Sequence, residues 1–183
     1  MTDDSQTTIP AGAFAIARDY AAPRDRVWRA WSEAAEIQAW WGPAGCSIDL
    51  RRFEFRPGGF FHYAMRFPGM PAMWGRFVYR EIAAPERIVW LNAFSNEGCG
   101  ITRAPFGAPF PLEMLNHVTM TATADGTHVA LHAWPHGASE EEAAVFAASL
   151  DSMAQGYGGT FDRLGDRLGD RLGDRLGDRL AQA

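Results

Sequence analysis

Residues 139–164 read SEEEAAVFAASLDSMAQGYGGTFDRL. Ser139 is a good helix-capping residue, and Glu142 three positions later completes a capping box, so a helix begins here. Phe146, Leu150, Met153, Tyr157, Phe161, Leu164 and then Leu168 recur at steps of three and four. That spacing predicts one continuous apolar stripe on a single long helix. Such a stripe must be buried against another layer, and the preceding chain supplies one. Phe14, Ile16, Arg18 and Tyr20 alternate with small or polar residues, as in a first strand. Residues 47–55, 60–67, 73–82, 87–94, 113–124 and 127–134 carry the same period of two. They are separated by turn-forming clusters such as Arg56-Pro57-Gly58-Gly59, Pro68-Gly69-Met70-Pro71 and Ala83-Ala84-Pro85-Glu86. Asp125-Gly126, a strong hairpin signal, joins the last two. The fold class is therefore α+β: a curved antiparallel sheet wrapped around a long C-terminal helix.

Two short helices are expected after the first strand. Residues 22–43 read APRDRVWRAWSEAAEIQAWWGP and hold four of the seven tryptophans, Trp28, Trp31, Trp40 and Trp41. Pro23 suits a first helical position. Val27 with Trp31, and Ile37 with Trp41, are four apart and share a face. A break is expected near residues 32–35, and Gly42-Pro43 stops the second helix. Adjacent indoles must point in different directions, so one of Trp40 and Trp41 is expected at the mouth of any cavity.

The chain has 183 residues, 47% of them hydrophobic and 13% aromatic, which suits one domain with a proper core. The reading divides it into a flexible tail at 1–11, a domain at 12–165 and a helical extension at 166–183. No apolar run approaches the ~18 residues that cross a bilayer. The N-terminus is polar and acidic rather than a targeting segment. These features, with Cys46 and Cys99 read as free thiols, point to a cytoplasmic protein without a membrane partner. A net charge of −5 argues against a nucleic-acid surface. Five DRL units spaced four apart begin at Asp162, the last four of them in the extension. Leucines at that spacing drift about 40° per repeat around a helix, so they leave the core seam. A marginal, protruding helix is expected from Asp166 onward.

Gly156, Gly158 and Gly159 fall inside the long helix, where each glycine costs about 1 kcal/mol relative to alanine. Either the helix approaches a neighbour closely there, or missing side chains leave a void, the usual form of a small-molecule site. His128, His132 and His136 lie on a strand, where four residues span ~13 Å, too far to share one ion. No metal or other cofactor is expected. His62, Glu81, Glu113 and His117 are candidates for acid–base work, but no nucleophile motif or phosphate loop accompanies them. Residues 95–111 form a long aperiodic segment, a candidate gate. Phe106 and Phe110 are placed to cap a cavity there, with Asn96, Glu97 and Arg103 as polar candidates.

The pieces APRDRVWRAWSEAAEIQAWWGP, FRPGGFFHYAMR, WGRFVYREIAAPERIVW and SMAQGYGGTFDRL, with the loop SNEGCGITRAPFGAPFPLEM, occur in a familiar order. Over residues 12–165 the chain resembles a branch of the SRPBCC (START-like, helix-grip) superfamily. That branch is similar to the C-terminal domain of the activator of heat-shock protein 90 ATPase. The resemblance implies a helix-grip fold with a cavity between sheet and long helix, and no fixed catalytic set. The repeat tail departs from the family. The leading expectation is a binding protein for a small apolar or aromatic molecule. Trp40, Trp41, His62, Trp74, Trp90, Met153 and Tyr157 would line the cavity, with Phe106 and Phe110 at its gate. A cyclase- or hydrolase-type enzyme using His62, Glu81 or His117 is the second reading. A protein-interaction module, chaperone-regulator-like, is the third, and a homodimer stays open.

Overall fold

A computed structural model describes residues 8–169. In chain order the elements are β1 (Phe14–Tyr20), α1 (Arg24–Ser32), α2 (Ala34–Trp40), β2 (Ser47–Phe53), β3 (Phe60–Arg66), β4 (Met73–Ala83), β5 (Arg87–Ser95), β6 (Glu113–Thr123), β7 (Gly126–His136), α3 (Glu140–Ala148) and α4 (Leu150–Leu168). The strands form one sheet in the order β1-β7-β6-β5-β4-β3-β2, with every neighbouring pair antiparallel. Consecutive strands from β2 to β7 are hairpin neighbours. β1 returns to pair with β7, so α1 and α2 carry the chain from one edge of the sheet to the other. Irregularities between Leu50 and Arg52, and between Tyr79 and Glu81, interrupt the register. Such bulges increase local twist and help the sheet curve.

The α+β sheet-and-helix architecture expected from the sequence is present. Alternation along each strand defines its inner face. Phe61 and Tyr63 on β3, Phe77 and Tyr79 on β4, and Ile88 and Trp90 on β5 join one core with Met114, Val118 and Met120 on β6 and Val129, Leu131 and Ala133 on β7. Trp31, Phe161 and Leu164 close that core from the helical side, each at most 2% exposed.

The break between the short helices falls where expected, at the single extended residue Glu33. Two local expectations change. Pro23 stands at the N-cap of α1, one position earlier than expected, and its carbonyl accepts from the amides of Arg26 and Val27. The predicted continuous C-terminal helix is two helices meeting at Ser149. The Ser149 hydroxyl donates to the Val145 carbonyl at 2.7 Å. A serine bonding back onto the preceding turn is a known cause of helix bending. Phe146 consequently belongs to a different helix from Met153 and Phe161. The Ser139–Glu142 capping box at the start of α3 is present.

α4 extends to Leu168, where Gly169 adopts a left-handed conformation (φ 80°) and caps it. Leu168 packs against the core, and Arg167 pairs with Glu36 at 2.7 Å. The rest of the repeat tail, from Asp170 onward, lies outside the described residues, as does residues 1–7 of the N-terminal tail.

The second half of α4 is fixed by polar contacts. Tyr20 donates from its hydroxyl to the Phe161 carbonyl at 2.8 Å. The Arg163 guanidinium donates to the carbonyls of Ala39, Trp41, Gly42 and Pro43 at 3.0–3.2 Å. The Ala39 and Trp41 carbonyls lie at the C-terminal end of α2, where the helix dipole favours a cation. Arg163→Met keeps the apolar stem and removes the donors. It is expected to lower the unfolding free energy by about 2 kcal/mol, read from urea denaturation monitored by tryptophan fluorescence.

Candidate functional site: a cavity under the C-terminal helix

The first half of α4 meets the sheet at Tyr157, whose ring packs on Phe14 of β1 at 5.2 Å, but the space around that contact is not filled. A cavity of about 700 Å³ lies there. Tyr63, Met65, Met73, Asn92, Phe94 and Met114 form its floor on β3 to β6, and Ser149, Ser152, Met153, Gly156, Tyr157 and Thr160 form its roof. Trp41, Gly42 and Pro43 make one wall, and Phe106 and Phe110 lie at the other. Four of the chain's seven methionines face it. Methionine is unbranched and polarisable, so such a lining adapts to differently shaped apolar guests.

Two glycines shape the space. A β-carbon on Gly156 would meet nothing within 4 Å, so that residue roofs a void. Gly159 instead lies against the loop after α2, where a β-carbon would sit 3.5 Å from the Ala44 nitrogen. Of the two purposes raised by the sequence, the void is met at Gly156, while the contact at Gly159 is of ordinary van der Waals length. On the floor, a β-carbon on Gly75 would fall 2.7 Å from the Tyr63 ring, so only glycine lets that ring lie across β4.

No lining residue is Asp, Glu, Arg or His. The ionisable groups in the wall are the hydroxyls of Tyr63 and Tyr157. Burial pushes both well above the ordinary phenol range, so both stay neutral. The Tyr157 hydroxyl donates to Asn116 Oδ1 at 3.1 Å, and Asn116 Nδ2 donates to the Met114 carbonyl at 3.1 Å. Asn116 is fully buried, so this pairing satisfies an amide that would otherwise be orphaned.

The long segment between β5 and β6 divides in two. Its first part folds back on itself: Asn96 Oδ1 accepts from the Gly100 amide at 2.9 Å, and Ile101 bridges to Ser95. Its second part crosses the cavity mouth. Phe106 packs edge-on against Phe94 and Phe110, with ring centres 5.3 and 6.0 Å apart, and Phe110 continues to Phe146 at 6.5 Å. Arg103 ties this part to α3 through an ion pair with Glu142. The Glu142 carboxylate also accepts from the Ser139 amide at 2.8 Å. Arg103, then that amide, hold the Glu142 carboxyl below its ordinary range.

Of the expected lining residues, Trp41, Met153, Tyr157, Phe106 and Phe110 face the cavity. Trp40, His62, Trp74 and Trp90 lie elsewhere. Trp40 is fully buried beside Trp31 and donates its indole N–H to the Ala30 carbonyl at 2.8 Å. Trp90 is on the inner face, but it stacks on Phe77 at 5.0 Å and is consumed by the core. His62 and Trp74 alternate with the lining residues Tyr63 and Met73, so they point to the outer face. There they stack at 5.2 Å, and His62 Nε2 lies 3.1 Å from the Asn96 carbonyl.

Glu81 and His117 are also on the outer face, each placed by its register with Val89. Glu81 accepts from Arg87 Nε at 2.9 Å. His117 is directly opposite His132, and burial, then nearby Arg87, lower its pKa. The acid–base candidates therefore do not converge on the cavity. Nor does Asn96, Glu97 or Glu113 line it. Sequence reasoning missed Tyr63, Met65, Met73, Asn92 and Met114. Alternation marked these strands, but only knowing which face meets α4 picks the right parity, and a slip of one residue selects the opposite face. Among the described residues no group of three or more His, Cys, Asp or Glu is placed to hold a metal ion, and no helix is long and apolar enough to cross a membrane.

The family model for activator of Hsp90 ATPase homolog 1-like protein matches residues 21–169. No curated protein matches the chain. Among solved structures, a protein from Arthrobacter aurescens superposes with a TM-score of 0.72 at 20% identity, over 91% of either chain. A protein from Mycobacterium smegmatis gives 0.70 at 20% identity, over 89% of this chain and 94% of that one. The AHSA1 protein from Silicibacter pomeroyi gives 0.61 at 13% identity, over 86% and 97%. At these identities the likeness is one of fold.

Gly156 offers a direct handle on the cavity. Gly156→Ala is expected to raise stability by about 1 kcal/mol, because it removes a helix-interior glycine without a clash. Thermal unfolding checks this. Gly156→Leu is expected to occupy part of the void, which a crystal structure of the variant would show as a smaller cavity.

Proposed function

The chain belongs to the activator of Hsp90 ATPase homolog 1-like family, and from that premise we propose that it is a binding protein for a small hydrophobic or aromatic molecule held under α4. The observation that carries this reading is the roof at Gly156. A folded chain keeps glycine inside a helix, over open space, where alanine would be more stable. Retaining a void of this size also forgoes the packing that a filled core would give. A concave cleft lined mainly by apolar and aromatic side chains is the common form of a small-molecule site.

The enzymatic alternative has less support. General acid–base catalysis needs a titratable group within hydrogen-bond reach of the substrate. His62, Glu81 and His117 face away from the cavity, and its own tyrosines are held neutral. Function does not follow from the fold alone, so the proposal rests on the cavity. Two free cysteines, Cys46 and Cys99, fit a reducing cytoplasm as the place of action.

Native mass spectrometry of protein purified without denaturation tests the reading. A co-purifying mass that disappears on denaturation is the expected result. Apoprotein alone, together with no thermal shift from any apolar aromatic compound, would overturn it.

Phe106 and Phe110 flank the cavity, and on this reading the passage of a guest loosens their segment, which the Arg103–Glu142 pair opposes. Glu142→Gln retains a side chain able to complete the capping box but removes the charge that holds Arg103. Faster amide hydrogen exchange in residues 103–111, with little change in global stability, is expected. The pH dependence has a definite sign. The Glu142 pKa is lowered in the fold, so the pair's contribution is present above the ordinary carboxylate range. It is lost as pH falls through the lowered value. Ligand dissociation should therefore be constant near neutrality and accelerate only in acid, as stopped-flow fluorescence would show.

A further inference from the structure

The polar groups of the cavity say more about its guest than the apolar ones do. Most are already occupied. The Tyr157 hydroxyl donates to Asn116, the Ser149 hydroxyl to the Val145 carbonyl and the Thr160 hydroxyl to the Gly156 carbonyl at 2.9 Å. Asn92 differs. It stands mid-sheet on β5, between Phe77 of β4 and Met114 of β6, and contributes to the cavity floor. Its side-chain amide makes no hydrogen bond to another described residue. An amide has two donors and an acceptor, and leaving them unpaired under an apolar guest is unfavourable.

Charge is the second constraint. The lining holds no ionised side chain. Arg163 lies behind the wall, its guanidinium taken up by the carbonyls of Trp41, Gly42 and Pro43. At the mouth, Arg103 is neutralised by Glu142. A carboxylate or ammonium carried to the floor beside Asn92 would lose hydration with no counter-charge to replace it.

From these two observations we propose that the cavity selects uncharged amphipathic molecules, with an apolar or aromatic body among the methionines and one neutral hydroxyl or carbonyl group held by the Asn92 amide. This rests on the ligand-binding reading above and assigns Asn92 as its specificity-determining residue.

Displacement of the neutral fluorophore N-phenyl-1-naphthylamine by three guests of matched shape tests it. The guests are 2-naphthol, 2-methylnaphthalene and 2-naphthoate, all at pH 7. In the unaltered protein, 2-naphthol should bind about fivefold more tightly than 2-methylnaphthalene, the worth of one neutral hydrogen bond. The carboxylate should bind at least about a hundredfold more weakly than 2-naphthol. In Asn92→Leu the naphthol preference should vanish while 2-methylnaphthalene binds more tightly than in the unaltered protein, because no amide is left unpaired beneath it, and that binding also reports that the variant is folded. Naphthoate binding on a par with 2-methylnaphthalene would overturn the exclusion of charge. A naphthol preference that survives in Asn92→Leu, or is absent from the unaltered protein, would overturn the anchor. Failure of the fluorophore and every guest to bind would overturn the ligand-binding reading itself.

Discussion

The guanidinium of Arg163 sits where three parts of the molecule meet. It reaches from the second half of α4 to four carbonyls at and just beyond the end of α2. One charged side chain thereby fixes the helix against the Trp41-Gly42-Pro43 segment and makes that segment a cavity wall. The other fixed points are close by: the Tyr20 hydroxyl on the Phe161 carbonyl, the Tyr157 hydroxyl on Asn116, and Arg167 on Glu36. All involve residues from Tyr157 onward. Phe161 and Leu164, fully buried, fill the space under this half. Ahead of Tyr157, Met153 and Gly156 form part of the cavity's roof. The bend at Ser149 then directs α3 towards the mouth.

This asymmetry allows a stable domain to contain a cavity. The packed half supplies an aromatic core in which Trp31 meets Trp40, Trp41, Trp90 and Phe161. Burial of this much aromatic surface is a large stabilising contribution. It offsets a glycine in the roof and the missing contacts around the void. Trp41 belongs to both regions. Its ring packs edge-on against Phe77 at 5.1 Å and also faces the cavity. Movement of a guest and packing of the core are therefore mechanically adjacent at this residue.

The sheet keeps two chemistries on two faces. The inner face carries neutral lining, and the outer face carries His62, His117, His132, Glu81 and several arginines. Among those, Arg52 and Arg76 lie over Phe60 at 4.7 and 5.3 Å, and Arg51 lies over Trp74 at 5.3 Å. Titratable side chains near the cavity in sequence are thus a sheet thickness away from it in space. Strand position alone placed His62 and Glu81 among the acid–base candidates, and the pleat removed them.

Local pattern determined the elements. Period-two alternation, the Asp125-Gly126 turn, the Ser139–Glu142 capping box and the stripe from Met153 to Leu164 were enough for an antiparallel sheet covered by a C-terminal helix, because each signal is set within a few residues of itself. The sequence also marked Gly156, Trp41, Phe106 and Phe110 as unusual. Three matters needed the tertiary structure. The division of the C-terminal helix at Ser149 comes from one side-chain bond that competes with regular helix. The parity that sends Tyr63, Met65 and Asn92 inward, and His62 and Trp74 outward, depends on which face of the sheet α4 covers. The position of the cavity depends on the points at which Arg163, Tyr20 and Tyr157 hold α4 to α2 and to the sheet. That outcome depends on partners up to 141 residues apart, as between Tyr20 and Phe161, which no local pattern can encode.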